Sequence, residues 1–297
     1  MKVNTKNPYF LLTILAIIWG SSFILMKEGL KTFSSYEVAA FRILLAGLSL
    51  LPFVKWRKLK IKKGDFKYFA LSGILGSGIP AFLFTAAQTK ISSSLAGALN
   101  SLTPIFTLLV GVLFLGVPFR KLNLLGALIG ILGAFFLIFQ KGVHFEFQHA
   151  LLVVLATLFY GINVNLIKHK LQHYPSLVLA ALPLAIIAVG GLSILIFLQP
   201  RLHIADFQTI KSISAIALLS IVGTAISLVL FNQLIQQTTA VFASSVTYLI
   251  PLVALLWGLM FHESISLFQV VGMGLILVAI WLIRKKKEIR KEEKNEN

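Results

Sequence analysis

SSLAGALNSLTPIFTLLVGVLFL (93–115) and AVFASSVTYLIPLVALLWGLMF (240–261) are one apolar span written twice. Aligned on Pro104 and Pro251, they also superpose Ala96 on Ala243, Gly111 on Gly258 and Phe114 on Phe261. The same offset of 147 runs back to Gly76 with Gly223 and Phe84 with Phe231, giving 11 identities in 42 ungapped positions between residues 75 and 116. Further upstream an offset of 141 pairs Gly20 with Gly161, Lys27 with Lys168, Leu30 with Leu171, and Ala39-Ala40 with Ala180-Ala181. Each copy holds five apolar segments. An odd number of crossings forces the second copy to sit upside down relative to the first, a plan found in many secondary transporters.

Composition sets the solvent. Apolar residues make up 58% of the 297-residue chain and charged residues 12%, with a mean hydropathy of +0.91. A water-soluble domain of this size has no interior large enough for that much apolar surface, so the chain belongs in lipid. A helix needs about 20 apolar residues to cross the hydrocarbon core. Ten stretches qualify, at 9–28, 35–54, 68–88, 93–115, 122–140, 149–168, 176–198, 212–235, 240–261 and 266–283. The runs are continuous, without the two-residue alternation of a membrane barrel. The expected fold is therefore all-α and integral to the membrane: ten transmembrane helices in two inverted five-helix repeats, 9–140 and 149–283, followed by a basic tail, 284–297. The first stretch follows Lys2 and Lys6 but has no A-x-A pattern after it, and reads as a retained helix rather than a signal peptide.

The formal charge of +17 could point to nucleic acid, but its distribution argues otherwise. With the N-terminus inside, twenty Lys and Arg fall on the cytoplasmic side, including seven in the 55–67 loop and seven between Arg284 and Lys294, against six outside. This bias places both termini in the cytoplasm. The basic loop and tail read as topology determinants that meet anionic lipid headgroups, not as a nucleic-acid surface; no aromatics interleave with the lysines, and the tail also carries Glu288, Glu292, Glu293 and Glu296.

Pro104 and Pro251 fall within matched spans. A proline frees a backbone carbonyl one turn upstream and bends the helix, and interruptions at equivalent places in two repeats point to a midplane site. Gly126 and Gly130 form a GxxxG pair near Gly133, with Gly272 and Gly274 in the corresponding span. Such faces admit a close neighbour, within one bundle or between two copies, so the chain reads as a monomer or a homodimer.

Local features now converge: IIWGSSF in the first span, EVAAFRILLAGL with Arg42 in the second, the two proline-bearing spans, and LFQVVGMGLILVAIWLI in the last. Together they resemble the ten-helix EamA-type exporters of the drug/metabolite transporter superfamily, over residues 9–284. The resemblance implies a central cavity lined by helices 1, 3, 4, 6, 8 and 9 and export of small metabolites, often amino acids or their relatives. The family's glutamate after helix 9 is matched by Glu263, but Gly116 stands at the equivalent place after helix 4.

Polar residues within the spans supply the cavity candidates. Asn100, Thr103 and Thr107 share a helical face with Ala96, and Ser244 and Thr247 share one with Pro251, Tyr248 lying alongside. Trp19 and Tyr160 are equivalent positions, as are Ser22 and Asn163. Gln88, Asn232 and Gln233 are further amides in apolar runs. Arg42 lies two turns into its span, where a guanidinium costs at least about 2.5 kcal/mol unless paired or solvated. It either reaches towards carbonyls and Glu37 or faces a wet cavity, while Lys27 snorkels to the interface.

All ten acids lie at helix ends, in loops or in the tail. Proton-driven export of organic cations normally uses a carboxylate near mid-membrane. Transport of a zwitterionic or neutral metabolite therefore ranks above multidrug or organic-cation efflux, and exchange or facilitated diffusion above coupling through a buried acid. With no cysteine, no HExxH and all six histidines near loops or helix ends, no cofactor, metal or intramembrane enzyme is expected. A membrane sensor or assembly protein is the alternative of another class. The expected location is the bacterial inner membrane.

Overall fold

The structure, a computed structural model, describes residues 7–117, 121–138, 146–200, 206–262 and 266–284. Helix is the only regular structure among them. In chain order, α1 spans Pro8–Gly29, α2 Ser35–Phe53, α3 Lys63–Gln88, α4 Ser93–Leu115 and α5 Lys121–Ile138. In the second half, α6 spans Phe147–Leu171, α7 Ser176–Leu198, α8 Phe207–Gln237, α9 Ala240–Met260 and α10 Leu267–Arg284. Eight of these, α1 to α4 and α6 to α9, are long and apolar enough to cross a membrane, and Leu267–Ala279 is a shorter apolar run. Glu263 and the tail from residue 285 lie outside the described residues.

Side chains at the helix starts supply acceptors for N–H groups that have no partner within the helix. Asn7 accepts from the Tyr9 amide at 2.9 Å, with Pro8 in the first turn of α1. Ser34 and Glu37 form a capping box at the start of α2. Ser92 accepts from the Leu95 amide at 3.1 Å, and Thr239, 147 residues on, accepts from the Phe242 amide at 3.2 Å. Gly116 closes α4 in the left-handed region, φ 65°; the glutamate-for-glycine difference at this place thus falls where the first repeat needs positive φ.

Both proline-bearing helices are broken rather than bent. In α4 the first helical piece ends at Asn100 and the next begins at Thr103, with Pro104 in its first turn. In α9 a 3-10 turn, Ser245–Tyr248, separates Ala240–Ser244 from Ile250–Met260, with Pro251 in the first turn of the latter. Pro104 has no N–H to give the Asn100 carbonyl, and the Thr103 hydroxyl donates to that oxygen at 2.8 Å. Two π-helical turns also fall 147 residues apart, Ile74–Gly78 in α3 and Ile221–Ile226 in α8.

The helix contacts repeat across the two halves. Helix α1 packs on α8 and α9, and α6 packs on α3 and α4, while α2 pairs with α7, α4 with α9 and α5 with α10. Each contact thus has a counterpart when the halves are exchanged. A close approach holds each set together. A Cβ added at Gly20 would stand 2.5 Å from Val253 of α9, and one at Gly161 would stand 2.8 Å from the Thr107 amide and 2.9 Å from Phe106 of α4; Phe106 and Val253 are equivalent positions. The glycines of α5 serve the same end within the chain, Gly133 lying against the Gly272 carbonyl of α10.

Polarity is inverted relative to a soluble protein. Phe114, Phe197 and Trp281 are 77%, 86% and 54% exposed, whereas Ser22, Gln88, Asn100, Asn163, Asn165, Asn232 and Thr247 are buried. Apolar side chains can face lipid at no cost, and polar ones gather where they find partners.

Candidate functional site

Several of the buried polar side chains line a central cavity with about 880 Å³ of empty space, its open part included. Trp19, Ser22, Phe23 and Met26 of α1, Arg42 of α2, Gly76, Ser77 and Phe84 of α3, and Asn100 and Thr103 of α4 form the first repeat's share of its wall. Tyr160 and Asn163 of α6, Gly223, Thr224 and Phe231 of α8, and Ser244 and Thr247 of α9 form the second's. No described residue of α5, α7 or α10 lines it.

The wall is built from equivalent positions used reciprocally. Trp19 meets Phe231 edge-on, ring centroids 4.9 Å apart, while Tyr160 stacks on Phe84 at 5.9 Å. In each case an aromatic of one repeat's first helix lies on the phenylalanine of the other repeat's third helix. The π turns sit beside these pairs. Gly76 faces the Asn163 amide so closely that a Cβ there would collide with it, and a Cβ at Gly223 would stand 2.7 Å from the Ser22 hydroxyl. The Trp19 indole N–H donates to the Gly223 carbonyl at 3.1 Å and to Ser227 Oγ at 2.9 Å, tying α1 to α8 beside the widened turn. A π turn displaces its carbonyls from the regular helical ladder and recurs at functional sites.

Arg42 enters from α2. Its Nε donates to Thr224 Oγ1 at 2.9 Å, and the Thr224 hydroxyl donates in turn to the Leu219 carbonyl at 3.1 Å. The reach to Glu37 is not made: that carboxylate accepts from the Ser34 amide at 2.7 Å and its hydroxyl at 2.8 Å. Asn163 Oδ1 is buried and has no hydrogen-bond partner in the protein.

Of the other candidates, Gln88 is buried away from the cavity and donates to the Phe23 carbonyl at 3.1 Å and Ser93 Oγ at 3.2 Å. Tyr248 is buried in the apolar core cluster that also holds Leu99 and Ile250. Asn232 lines a smaller side pocket with Ser72, Ser77 and Asn163. Lys27, half-buried near the end of α1, donates to the Ile91 carbonyl at 3.0 Å in the link between α3 and α4, and its counterpart Lys168 donates to the Ile235 carbonyl at 2.9 Å. Ile91 lies just past the end of α3 and Ile235 in the last turn of α8, so each lysine reaches the C-terminal end of the third helix of its own repeat, where carbonyls carry the negative end of the helix dipole. Ser77 and Thr224 were missed as wall residues, although a signal existed: they are equivalent hydroxyls directly following the matched glycines.

A helical bundle with a polar-lined central cavity and large apolar side chains exposed on its outside is the architecture of a multi-pass membrane protein of the transporter class. The model of the EamA-like transporter family matches residues 6–139 and 148–285, and the chain belongs to that family, with one EamA repeat in each half. It is 25% identical over 287 residues to the uncharacterized inner membrane transporter YedA of Escherichia coli, covering 95% of this chain and 92% of that one. An uncharacterized transporter of Archaeoglobus fulgidus is 24% identical over 288 residues, covering 95% of this chain and all of the other. The uncharacterized transporter YoaV of Bacillus subtilis is 24% identical over 274 residues, covering 90% and 92%. One crystal structure shares the fold with a TM-score of 0.68 at 15% identity, over 93% of this chain and 96% of that one. The protein is a multi-pass protein of the cell membrane.

Proposed function

We propose that this protein exports small metabolites, amino acids or related zwitterionic and neutral solutes, by alternating access at the central cavity. In this reading all ten helices cross the bilayer, the two repeats are inverted, and both termini are cytoplasmic, a placement that the distribution of basic residues supports. The observation that carries the proposal is the reciprocal wall: each repeat lends its first-helix aromatic and polar residue to the other's third helix. Rocking one repeat against the other would open such a site to either side in turn.

Organic-cation efflux is the weaker reading, because no carboxylate lies among the described residues that line the cavity. The same fact favours exchange or facilitated diffusion over proton coupling through a buried acid. Reconstitution into liposomes tests the proposal by following release of labelled amino acids with and without a pH gradient. Release of at least one, saturable and independent of the gradient, is expected. Release of none, with tight binding of a cationic dye, would sink it.

A further inference from the structure

Arg42 is the one side chain with a fixed charge among the described residues that line the cavity. Its guanidinium has five N–H donors, and the bond from Nε to Thr224 is its hydrogen bond in the protein. The described ion pairs lie elsewhere, Lys31 and Lys211 with Glu28 and His173 with Asp65. The nearest acid along its own helix, Glu37, is engaged by the Ser34 cap. A guanidinium held in a membrane interior without a counter-ion is costly, so this arrangement calls for an anion supplied from outside the protein. The two terminal nitrogens offer the parallel donors that match a carboxylate.

The rest of the wall fixes what else the solute carries. Hydroxyls of Ser22, Ser77 and Thr247 and the amides of Asn100 and Asn163 offer neutral hydrogen bonds, and Trp19, Phe84, Tyr160 and Phe231 offer ring faces. Asn163 Oδ1, buried and unpartnered, is an acceptor awaiting one donor. No anionic group is among the described residues that line the cavity to hold an ammonium.

We infer that Arg42 is the docking residue for a carboxylate on the transported solute, and that an ammonium on the same solute is dispensable. The Nε bond to Thr224 locks the guanidinium plane to the π turn of α8, so a solute bound there bridges α2 of one repeat and α8 of the other. Asn163 takes a hydrogen-bond donor on the solute, which a hydroxyl supplies as well as an amine. This rests on the transport reading only in that the solute enters by the cavity.

The test is equilibrium binding to the purified full-length chain in detergent, by titration calorimetry, of leucine, its 2-hydroxy acid analogue and its decarboxylated amine. Both acids are expected to bind with affinities within a few-fold of each other, and the amine not at all. Loss of a charged hydrogen-bond pair corresponds to about 1.5–3 kcal/mol, so Arg42→Gln should weaken both acids roughly 10- to 100-fold. Arg42→Lys should retain part of the affinity, and Thr224→Val, which keeps the charge but frees its plane, should cost a few-fold without letting the amine bind. Should Arg42→Gln fail to fold, the other two variants still decide the matter. Binding of the amine alone, acid binding unchanged by any of these substitutions, or no acid binding to the folded protein overturns the inference. Flux in liposomes separates the two readings. Arg42-dependent acid binding without flux leaves the anion site standing and removes the transport reading. Flux of a solute without a carboxylate, unaffected by Arg42→Gln, does the reverse.

Discussion

Single residues hold the cavity wall in place, and the glycines of the two π turns are the most exacting. A methyl group at Gly76 would meet the Asn163 amide, and one at Gly223 the Ser22 hydroxyl. Overpacking of this kind costs about 1–3 kcal/mol. Gly76→Ala should therefore lower thermal stability in detergent by that order and displace the Asn163 side chain, and Asn163→Ala in the same chain should restore the melting temperature. A melting temperature unmoved by Gly76→Ala would show that the close approach is not there. Trp19→Phe keeps a ring against Phe231 but removes two hydrogen bonds to α8. At roughly 0.6 kcal/mol for each interhelical bond, the expected loss is about 1 kcal/mol by thermal melting. These pairings were half legible in sequence. The repeat offsets identify Trp19 with Tyr160 and Ser22 with Asn163, but that each contacts the opposite repeat's third helix is a matter of packing that no spacing encodes. Gln88 and Asn100 make the point: both are buried amides at helix ends, and only the second faces the cavity.

At the scale of elements, the breaks in α4 and α9 were written locally, because a proline removes its own donor wherever the helix lies. The π turns were not. The two in α3 and α8 carry a pair of matched glycines as their sequence trace, and α6 and α1 pack closely against them there. The paired lysines act on elements too. Lys27 and Lys168 secure carbonyls at the ends of α3 and α8, next to the short links into the broken helices. Cations at helix C-termini contribute about 0.3–1 kcal/mol each. Lys168→Met should speed hydrogen exchange of the amides around 236–239 several-fold while leaving those around 89–92 unchanged, and Lys27→Met should do the opposite. Exchange altered equally at both links by either variant would mean that the lysines stabilise the bundle generally rather than each its own link.

Across the whole molecule, polar clusters tie the halves together at both ends of the bundle. At one end Glu28 of α1 pairs with Lys211 at 3.3 Å and accepts from Gln208 at 3.0 Å, both on α8, while Thr32 and Ser212 share a 2.8 Å hydrogen bond. At the other, the Tyr174 hydroxyl donates to Asp65 at 2.8 Å and accepts from the Lys62 amide at 3.1 Å, with Gln236 donating to the Tyr174 carbonyl at 2.6 Å. Burial pushes the Tyr174 phenol above its ordinary value, and the Asp65 carboxylate acts the same way, so the phenol keeps the proton it donates. A chain without cysteine makes the consequence measurable. With a single cysteine at Ser77 in the cavity wall, Glu28→Gln should raise labelling by an impermeant maleimide from the outer face. Asp65→Asn should raise it from the cytoplasmic face. Labelling raised from the same face by both variants would contradict both the orientation and the alternating-access reading.

The sequence by itself determined the lipid solvent, the helical class, the duplication and the places where α4 and α9 break. Each of these follows from composition, run length or a single residue's backbone chemistry, which are properties of the chain before it folds. It also supplied most of the cavity's polar wall, since a polar group within an apolar span must find a partner or water. The tertiary structure decided which of those groups meet. These helices are apolar on nearly every side, so periodicity does not mark an inner face, and the orientation of each comes from its neighbours. Arg42 is the clearest case. Its charge was evident at once, but its anchor is Thr224, 182 residues away in the other repeat, and that contact is what holds the cation in the cavity wall, where the proposed anion would meet it.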